Sequence, residues 1–441
     1  MAELQQSTVG ANALDELLPP LTRNEAAVEA ARCLMCYDAP CTQACPTHID
    51  IPKFIKKIST QNLRGSARTI LESNLLGATC ARVCPVQELC EGACVLGAEH
   101  KPIAIGRLQR YAMDFAYGNG KDWFRPTKTT GKKVAVIGAG PAGLSCAGEL
   151  AKYGHSVTLF EKRDLAGGLS TYGIIGLREP IEVALAEAAM IAKLGVKIET
   201  GKVLGSNVTL AELQANFGAI FLSVGLGLTT TLRIPGEEYI VDGLEYIEQS
   251  KLGAGKLVVG RNVIVIGAGN TAIDCATIAK RLGASLVTMV YRRSEKEMTA
   301  YAHEYDFIKR EGVRFSFLTQ PVRVHVENGS VTALECARMT LGPADSSGRP
   351  SPQPVPGSEF LLPADQIVKA TGQERPSLAS LLKLKTEKGF IQVSPAFETS
   401  LPGVYAGGDC IRARGAASTV MAVQDGKLAA RSIHERLVAH G

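Results

Sequence analysis

Two stretches of this sequence repeat one pattern at long range. KKVAVIG, from Lys132, runs into GAGPAG, and RNVIVIG, from Arg261, runs into GAGNTA, so that Gly138 and Gly267 stand about 130 residues apart. Each stretch reads as an apolar strand, a glycine turn, a helix and a second strand, SVTLF in the first and SLVTMVY in the second. That is the βαβ unit of a dinucleotide-binding fold, and two copies commit the chain to an α/β architecture with two Rossmann-like domains. In such a unit the turn offers free backbone N–H groups and the positive end of the helix dipole to a pyrophosphate. The first motif has its glycines at Gly138, Gly140 and Gly143, and Glu161 ends its second strand, where a carboxylate can accept ribose hydroxyls. Gly167 and Gly168 permit close approach just beyond. The second motif has Gly267, Gly269 and Ala272, followed by Arg292 and Arg293 in place of the acid. Arginine there can pair with a 2′-phosphate and leans the reading toward NADP, with a solvated basic pair as the alternative.

Eight of the 12 cysteines precede residue 95: Cys33, Cys36, Cys41, Cys45, Cys80, Cys84, Cys90 and Cys94. Prolines follow Cys45 and Cys84 directly. Close cysteines ending in Cys-Pro are the pattern of ferredoxin-type [4Fe-4S] ligation, in which the last thiolate of a run crosses to the other cluster. Structural zinc is the rival; it favours paired CxxC knuckles, and only Cys33 and Cys36 make one here. Cys146, Cys275, Cys336 and Cys410 have no close partner and read as structural, which argues against a dithiol relay. The histidines show no ligand-like spacing.

The net charge of +5 is spread over interleaved acids and bases, so no basic stripe suggests nucleic acid. The N-terminal segment MAELQQSTVGANALDELLPP lacks the make-up of a secretory signal and no run is long and apolar enough for a bilayer, which makes the cytoplasm the expected compartment. Residues 1–125 read as a helical cluster-binding domain with amphipathic runs at Ile51 to Ile58 and Ala67 to Leu71. Residues 126–235 plus 372–441 read as one nucleotide domain and 236–371 as the other. The tail, with GVYAGGDC and a helix from about Ser418, is expected to return and complete the first, which is then discontinuous. Asp409 could hold a ribityl chain, and the helix N-terminus could face a flavin carbonyl. Between Val313 and Thr371, the runs VRFSFL, VRVHVE and VTALECARM suggest antiparallel strands, with Gly342 to Ser358 as a surface loop.

With these residues in place the chain resembles the flavin-containing small subunit of bacterial dihydropyrimidine dehydrogenases and the N-terminal half of the single-chain eukaryotic enzyme. The resemblance covers nearly everything from about Asn24 onward. It rests on RCLMCYDAPCTQACPTHIDIPKFI, LLGATCARVCPVQELCEGAC, KPIAIGRLQRYAMDF, both glycine motifs, YRRSEKEMTAYAHE and GVYAGGDCIRARGAASTVMAVQDGKLAA. The small subunit of glutamate synthase shares the architecture. The resemblance implies one [4Fe-4S] cluster on Cys33, Cys36, Cys41 and Cys94, and a second on Cys45, Cys84, Cys90 and the side chain of Gln109, with Cys80 no ligand. It also implies bound FAD, NAD(P)H as donor, and a partner subunit with FMN and further clusters that reduces uracil or thymine, together as a heterotetramer. The family expects a proline and an aromatic before the arginine after GGLSTYGI; this chain has Ile175, Gly176 and Leu177 before Arg178.

The candidate cofactor contacts are then Gly138, Ala139, Gly140, Pro141, Ala142, Gly143, Glu161, Lys162, Gly168, Leu169, Arg178, Asp409 and Thr419, with Gly267, Ala268, Gly269, Asn270, Thr271, Arg292 and Arg293 at the second motif, and Ala370, Thr371 and Gly372 in the ATG tripeptide. No side chain is assigned as acid or base, because the redox chemistry belongs to the cofactors. Other readings are a glutamate synthase small subunit, a ferredoxin-linked transhydrogenase subunit and, from a different class, a non-catalytic zinc-binding scaffold.

Overall fold

A run of short helices comes first: Arg23–Ala31, Pro40–Ala44, Ile51–Ser59, Leu63–Ser73, Gly77–Val83 and Ile105–Gly118. Their packing follows from spacing. Ile51, Phe54, Ile55 and Ile58 fall on one face of a 3.6-residue repeat and are all buried, while the Asp50 carboxylate caps the helix by accepting the Lys53 N–H at 3.2 Å. Ala67, Ile70 and Leu71 are the buried face of the next helix. Each fully buried Ile or Leu contributes about 1.5–3 kcal/mol, so these short helices are held by their shared core more than by their own hydrogen bonds.

The structure is a computed structural model and describes residues 15–118, 123–124, 128–253, 257–344, 348–412 and 417–439. The first fourteen residues of the N-terminal segment, and the expected domain boundary at residues 125–126, lie outside them. The chain divides into two units, a larger one of Leu18–Thr171, Arg178–Gly227 and Arg375–Gly441, and a smaller one that gathers Tyr172–Leu177 and Leu228–Glu374. The helical segment belongs to the larger unit.

The larger unit carries β1 (Lys133–Ile137), β2 (Ser156–Phe160), β3 (Lys197–Glu199) and β4 (Ala219–Leu222). The smaller unit carries β5 (Val241–Asp242), β6 (Asn262–Ile266), β7 (Leu286–Val290) and β8 (Arg314–Ser316), then β9 (Thr319–Glu327), β10 (Ser330–Ala344), β11 (Pro350–Pro354), β12 (Phe360–Pro363) and β13 (Gln366–Lys369). A two-stranded turn of β14 (Thr386–Glu387) and β15 (Phe390–Ile391) precedes β16 (Val404–Ala406). The first sheet has the order β16-β4-β1-β2-β3 and is parallel throughout. The tail therefore does return: β16 pairs with β4 at the edge and makes the first nucleotide fold discontinuous. The second sheet, β5-β13-β6-β7-β8, is also parallel. Val134 to Ile137 and Val263 to Ile266 are all buried, as strands covered on both faces must be.

Two readings of the segment after Val313 need correction. The strand within VRFSFL is β8, and it pairs in parallel with β7; the antiparallel strands of this segment are β9 to β12. Alternation marks a strand but not its partner, and the 3-residue β8 is too short to reveal its direction. The stretch from Gly342 to Ser358 is not all loop, because β10 continues through Ala344 and pairs with β11, leaving residues 345–347 outside the described ones. Prolines fit β11 because it is an edge strand that needs to donate on one side only.

Candidate functional site

The eight early cysteines separate into two sets in the larger unit. Cys33, Cys36, Cys41 and Cys94 line one hollow with Ile51 and Ile55; Cys45, Cys80, Cys84 and Cys90 line another with Gln109, Ile51 and Val420. Each encloses about 370 Å³ of non-atom space, counting its open mouth. Ile51 is 1% exposed and belongs to both walls. The Cys-Pro pairs explain the aim of two thiols. Cys45 and Cys84 end their helices in extended conformation, with ψ of 116° and 139°, because a following proline disfavours the helical region. Among the described residues, no three His, Cys, Asp or Glu side chains stand close enough to share a single ion. Four thiols lining one hollow are instead the kind of donor set a cubane takes. Burial pushes the Cys41 thiol up to about 11 and the Cys90 thiol higher still, so these groups need bound metal to become thiolates.

The second hollow has five candidate donors. Gln109 is 7% exposed and its Nε2 donates to the Gly77 carbonyl at 2.7 Å, which fixes the carboxamide and reserves Oε1 as the atom able to bind metal. Cys80 hydrogen-bonds to Cys84, raising the Cys84 pKa. The helix that carries Cys80 is anchored from afar: Glu187 accepts the Ala78 and Thr79 N–H groups at 2.8 and 3.1 Å and the Thr79 hydroxyl at 2.6 Å.

At the first glycine motif, Gly138 adopts φ +99°, and a Cβ on Gly143 would meet the Gly138 carbonyl oxygen at 1.9 Å. Gly140 and Gly168 face one another with nothing between them; a Cβ on Gly168, at φ +59°, would lie 2.7 Å from the Gly140 Cα. The helix Pro141–Lys152 starts at this bare slot with no side chain capping it. The slot and the uncapped N–H groups fit a pyrophosphate. Ala139 and Ala142 are buried under the turn, Glu161 is 6% exposed beside it, and Lys162 and Leu169 are exposed at its rim. Arg178 is partly buried, while Ile175 and Leu177, where the chain departs from the family pattern, belong to the apolar core of the smaller unit.

The tail reaches the same place. Gly408, at φ +80°, packs against Ala142, so that a Cβ there would approach the Ala142 Cβ to 3.0 Å. Asp409 follows, its carboxyl pKa raised by burial against the pull of Arg412. The helix Thr419–Ala439 begins next, with Ser418 Oγ accepting the Met421 N–H at 3.4 Å. Asp425, not singled out in the sequence, holds this turn: it accepts the Gly408 N–H at 3.0 Å and pairs with Arg412. Burial lifts its carboxyl to about 6. Its only sequence signal was the QDGK tetrapeptide.

In the smaller unit the second motif repeats the construction. Gly267 has φ +135°, a Cβ there would meet the Ala370 carbonyl oxygen at 2.3 Å, and the helix from Asn270 has no side-chain cap. The Ala268 carbonyl accepts the Thr299 and Ala300 N–H groups, and Asn270 Oδ1 accepts that of Tyr301 at 3.1 Å, so this loop flanks Gly269 and Thr271. Thr371 donates its hydroxyl to the Thr230 carbonyl at 3.1 Å, and Gly372, at φ +91°, accepts the Thr230 N–H. The arginine pair splits. Arg293 is 3% exposed with Nε donating to the Pro350 carbonyl at 2.9 Å, and Arg292 is the exposed member.

A cysteine-lined helical segment ahead of two Rossmann cradles defines an iron-sulfur flavoprotein oxidoreductase. Residues 132–426 match the family described as pyridine nucleotide-disulphide oxidoreductase, and residues 11–121 match dihydropyrimidine dehydrogenase domain II, 4Fe-4S cluster. The chain belongs to that oxidoreductase family, with the dihydropyrimidine dehydrogenase type of iron-sulfur segment at its N-terminus. It is 36% identical over 97% of its length to NAD-dependent dihydropyrimidine dehydrogenase subunit PreT of Escherichia coli, covering 98% of that relative. It is 38% identical over 90% of its length to the NADP(+)-dependent formate dehydrogenase subunit beta of Moorella thermoacetica, of which it spans 60%. Among solved structures, FprA from Mycobacterium tuberculosis in complex with NADPH shares the fold, with a TM-score of 0.57 and 18% identity over 71% of this chain and 85% of that one. FAD, [4Fe-4S] clusters and NAD(P)H are the cofactors of this oxidoreductase. No helix among the described residues is long and apolar enough to cross a membrane.

Proposed function

We propose that the chain is the electron-input subunit of an NAD(P)H-dependent dihydropyrimidine dehydrogenase. One [4Fe-4S] cluster is held by Cys33, Cys36, Cys41 and Cys94, the other by Cys45, Cys84, Cys90 and Gln109 Oε1. FAD lies along the Gly138 turn, with Glu161 at its ribose, Asp409 at its ribityl chain and Thr419 near its ring system, and the nicotinamide nucleotide lies along the Gly267 turn, with Arg292 to meet a 2′-phosphate. Bound there, FAD supplies the change from hydride to single electrons, and the clusters carry those electrons onward. The chain's own residues orient and insulate and need move no proton.

The observation that carries this reading is Val420, which lines the second cysteine hollow from the first turn of the helix that starts at the flavin turn. One helix end thus borders both cofactor places. Pyrimidine reduction is assigned to a partner subunit with FMN and further clusters, in a heterotetramer; the relatives are themselves named as subunits. The test is anaerobic purification with flavin, iron and sulfide analysis, followed by bleaching with NADH or NADPH. Co-expression with an FMN-containing partner should then give uracil-dependent oxidation of the nucleotide. Zinc without acid-labile sulfide would sink the proposal, and sulfide-containing protein whose partner consumes glutamine instead of uracil would move it to glutamate synthase.

A further inference from the structure

A chain of hydrogen bonds links the tail helix to a cluster cysteine. Thr47 stands two residues after Cys45 and is 0% exposed, and its Oγ1 lies 3.4 Å from Cys45 Sγ. A metal-bound thiolate has no proton to give, so in the loaded protein the threonine hydroxyl must be the donor. The Thr47 carbonyl in turn accepts from Lys427 Nζ at 3.3 Å, and the same ammonium donates to the Ser73 carbonyl at 2.9 Å. Lys427 lies on the helix that begins at Thr419, two turns beyond Val420. One side chain from the flavin fold therefore ties the loop after Cys45 to the end of the Leu63–Ser73 helix.

The hydrogen bonds of this lysine place its charge at the loop that follows Cys45. Both its hydrogen-bond acceptors are neutral carbonyls, and among the described residues it forms no ion pair. Glu149, the nearby carboxylate, is already paired with Lys152 at 2.9 Å. A partly buried cation without a paired anion is costly to keep charged. Burial lowers its pKa, and the Glu149 carboxylate first and the Cys45 sulfur after it raise it again.

We propose that Lys427 and Thr47 raise the reduction potential of the cluster held through Cys45, with Lys427 as a positioning residue that also supplies positive charge. This deepens the functional reading above and rests on its assignment of Cys45 as a ligand. Positive charge nearby and an O–H···S bond both favour the extra electron on the cluster, because each compensates the negative charge it brings. The cluster beside Val420 is thereby made the better acceptor.

The test compares Lys427→Met, Lys427→Arg, Thr47→Val and Thr47→Ser in the full chain, purified anaerobically, with iron and sulfide counted and each cluster titrated by EPR. The signal of the Cys45 cluster is identified by its change in Gln109→Cys. Lys427→Met and Thr47→Val should each disfavour reduction of that cluster on the order of tenfold, about 59 mV for one electron, and leave the other cluster in place. Lys427→Arg and Thr47→Ser should retain most of the wild-type potential. An unchanged midpoint in Lys427→Met or Thr47→Val with intact clusters overturns the proposal, as does an equal shift in the arginine and methionine variants. If Lys427→Met fails to assemble the cluster, the threonine pair decides, since valine and serine differ in the donor. Wild-type protein without iron and sulfide would instead defeat the underlying cluster assignment.

Discussion

Glu161 Oε2 accepts the Ala139 N–H at 2.7 Å, across 22 residues of sequence, and its Oε1 takes the Arg163 N–H at 2.9 Å. The carboxylate therefore braces the glycine turn as well as standing where ribose hydroxyls would come. Glu161→Ala should lose a hydrogen bond to a charged group, about 1.5–3 kcal/mol. The expected outcome is FAD retention weaker by about tenfold to a hundredfold. Flavin-to-protein ratio after gel filtration measures it.

Gly143→Ala tests the turn itself. The added methyl would meet the Gly138 carbonyl oxygen at 1.9 Å, a contact that forces backbone movement. A loss of about 1–3 kcal/mol in stability is expected, together with loss of flavin. Thermal unfolding and the visible spectrum report the two separately, and a variant as stable and yellow as the parent would contradict the geometry.

Glu187 gives a pH signature. Burial raises its carboxyl from 4.5 to about 8, with Glu179 adding to the rise and bonds from Thr79 and Ala78 opposing it. Between those values the folded chain holds a proton that the unfolded chain has released, so stability is greatest at low pH and falls as pH rises through the window. Glu187→Gln should flatten the dependence between about pH 5 and 8. Denaturant titrations across that range measure the slope, and an unaltered slope would rule the group out as its source.

The fourth prediction separates the five donors of the second hollow. Cys80→Ser should keep both clusters, whereas Gln109→Ala should lose or weaken one, because the Gln109 carboxamide is already oriented by Gly77. Iron and sulfide counts with EPR distinguish them. Loss of iron in the serine variant alone would transfer the ligand role to Cys80.

How much was legible depends on the range over which each feature is encoded. The turns at Gly138 and Gly267 require local backbone geometry that only glycine provides, so both cradles could be read from a few consecutive residues. The helix Pro141–Lys152 and the strand Ser156–Phe160 likewise announce themselves by period and flanking residues. The direction of β8 and the pairing of β11 could not be read, because a strand's partner is set by distant sequence. Lys427, Thr47 and Glu187 are illegible for the same reason: each is an ordinary polar residue whose meaning lies in a contact made far along the chain, 380 residues away for Lys427 and Thr47, whereas Asp425 acts across only 17 residues but carries no motif of its own.

The place of β16 has a consequence for synthesis. Until β16 has left the ribosome, β4 is an open edge with unsatisfied N–H and C=O groups. Because Val420 and Lys427, on the helix after β16, respectively wall the second cysteine hollow and tie the loop after Cys45, that hollow and the first nucleotide fold are completed by the same stretch of chain, and the unclosed edge is where a stalled chain would aggregate.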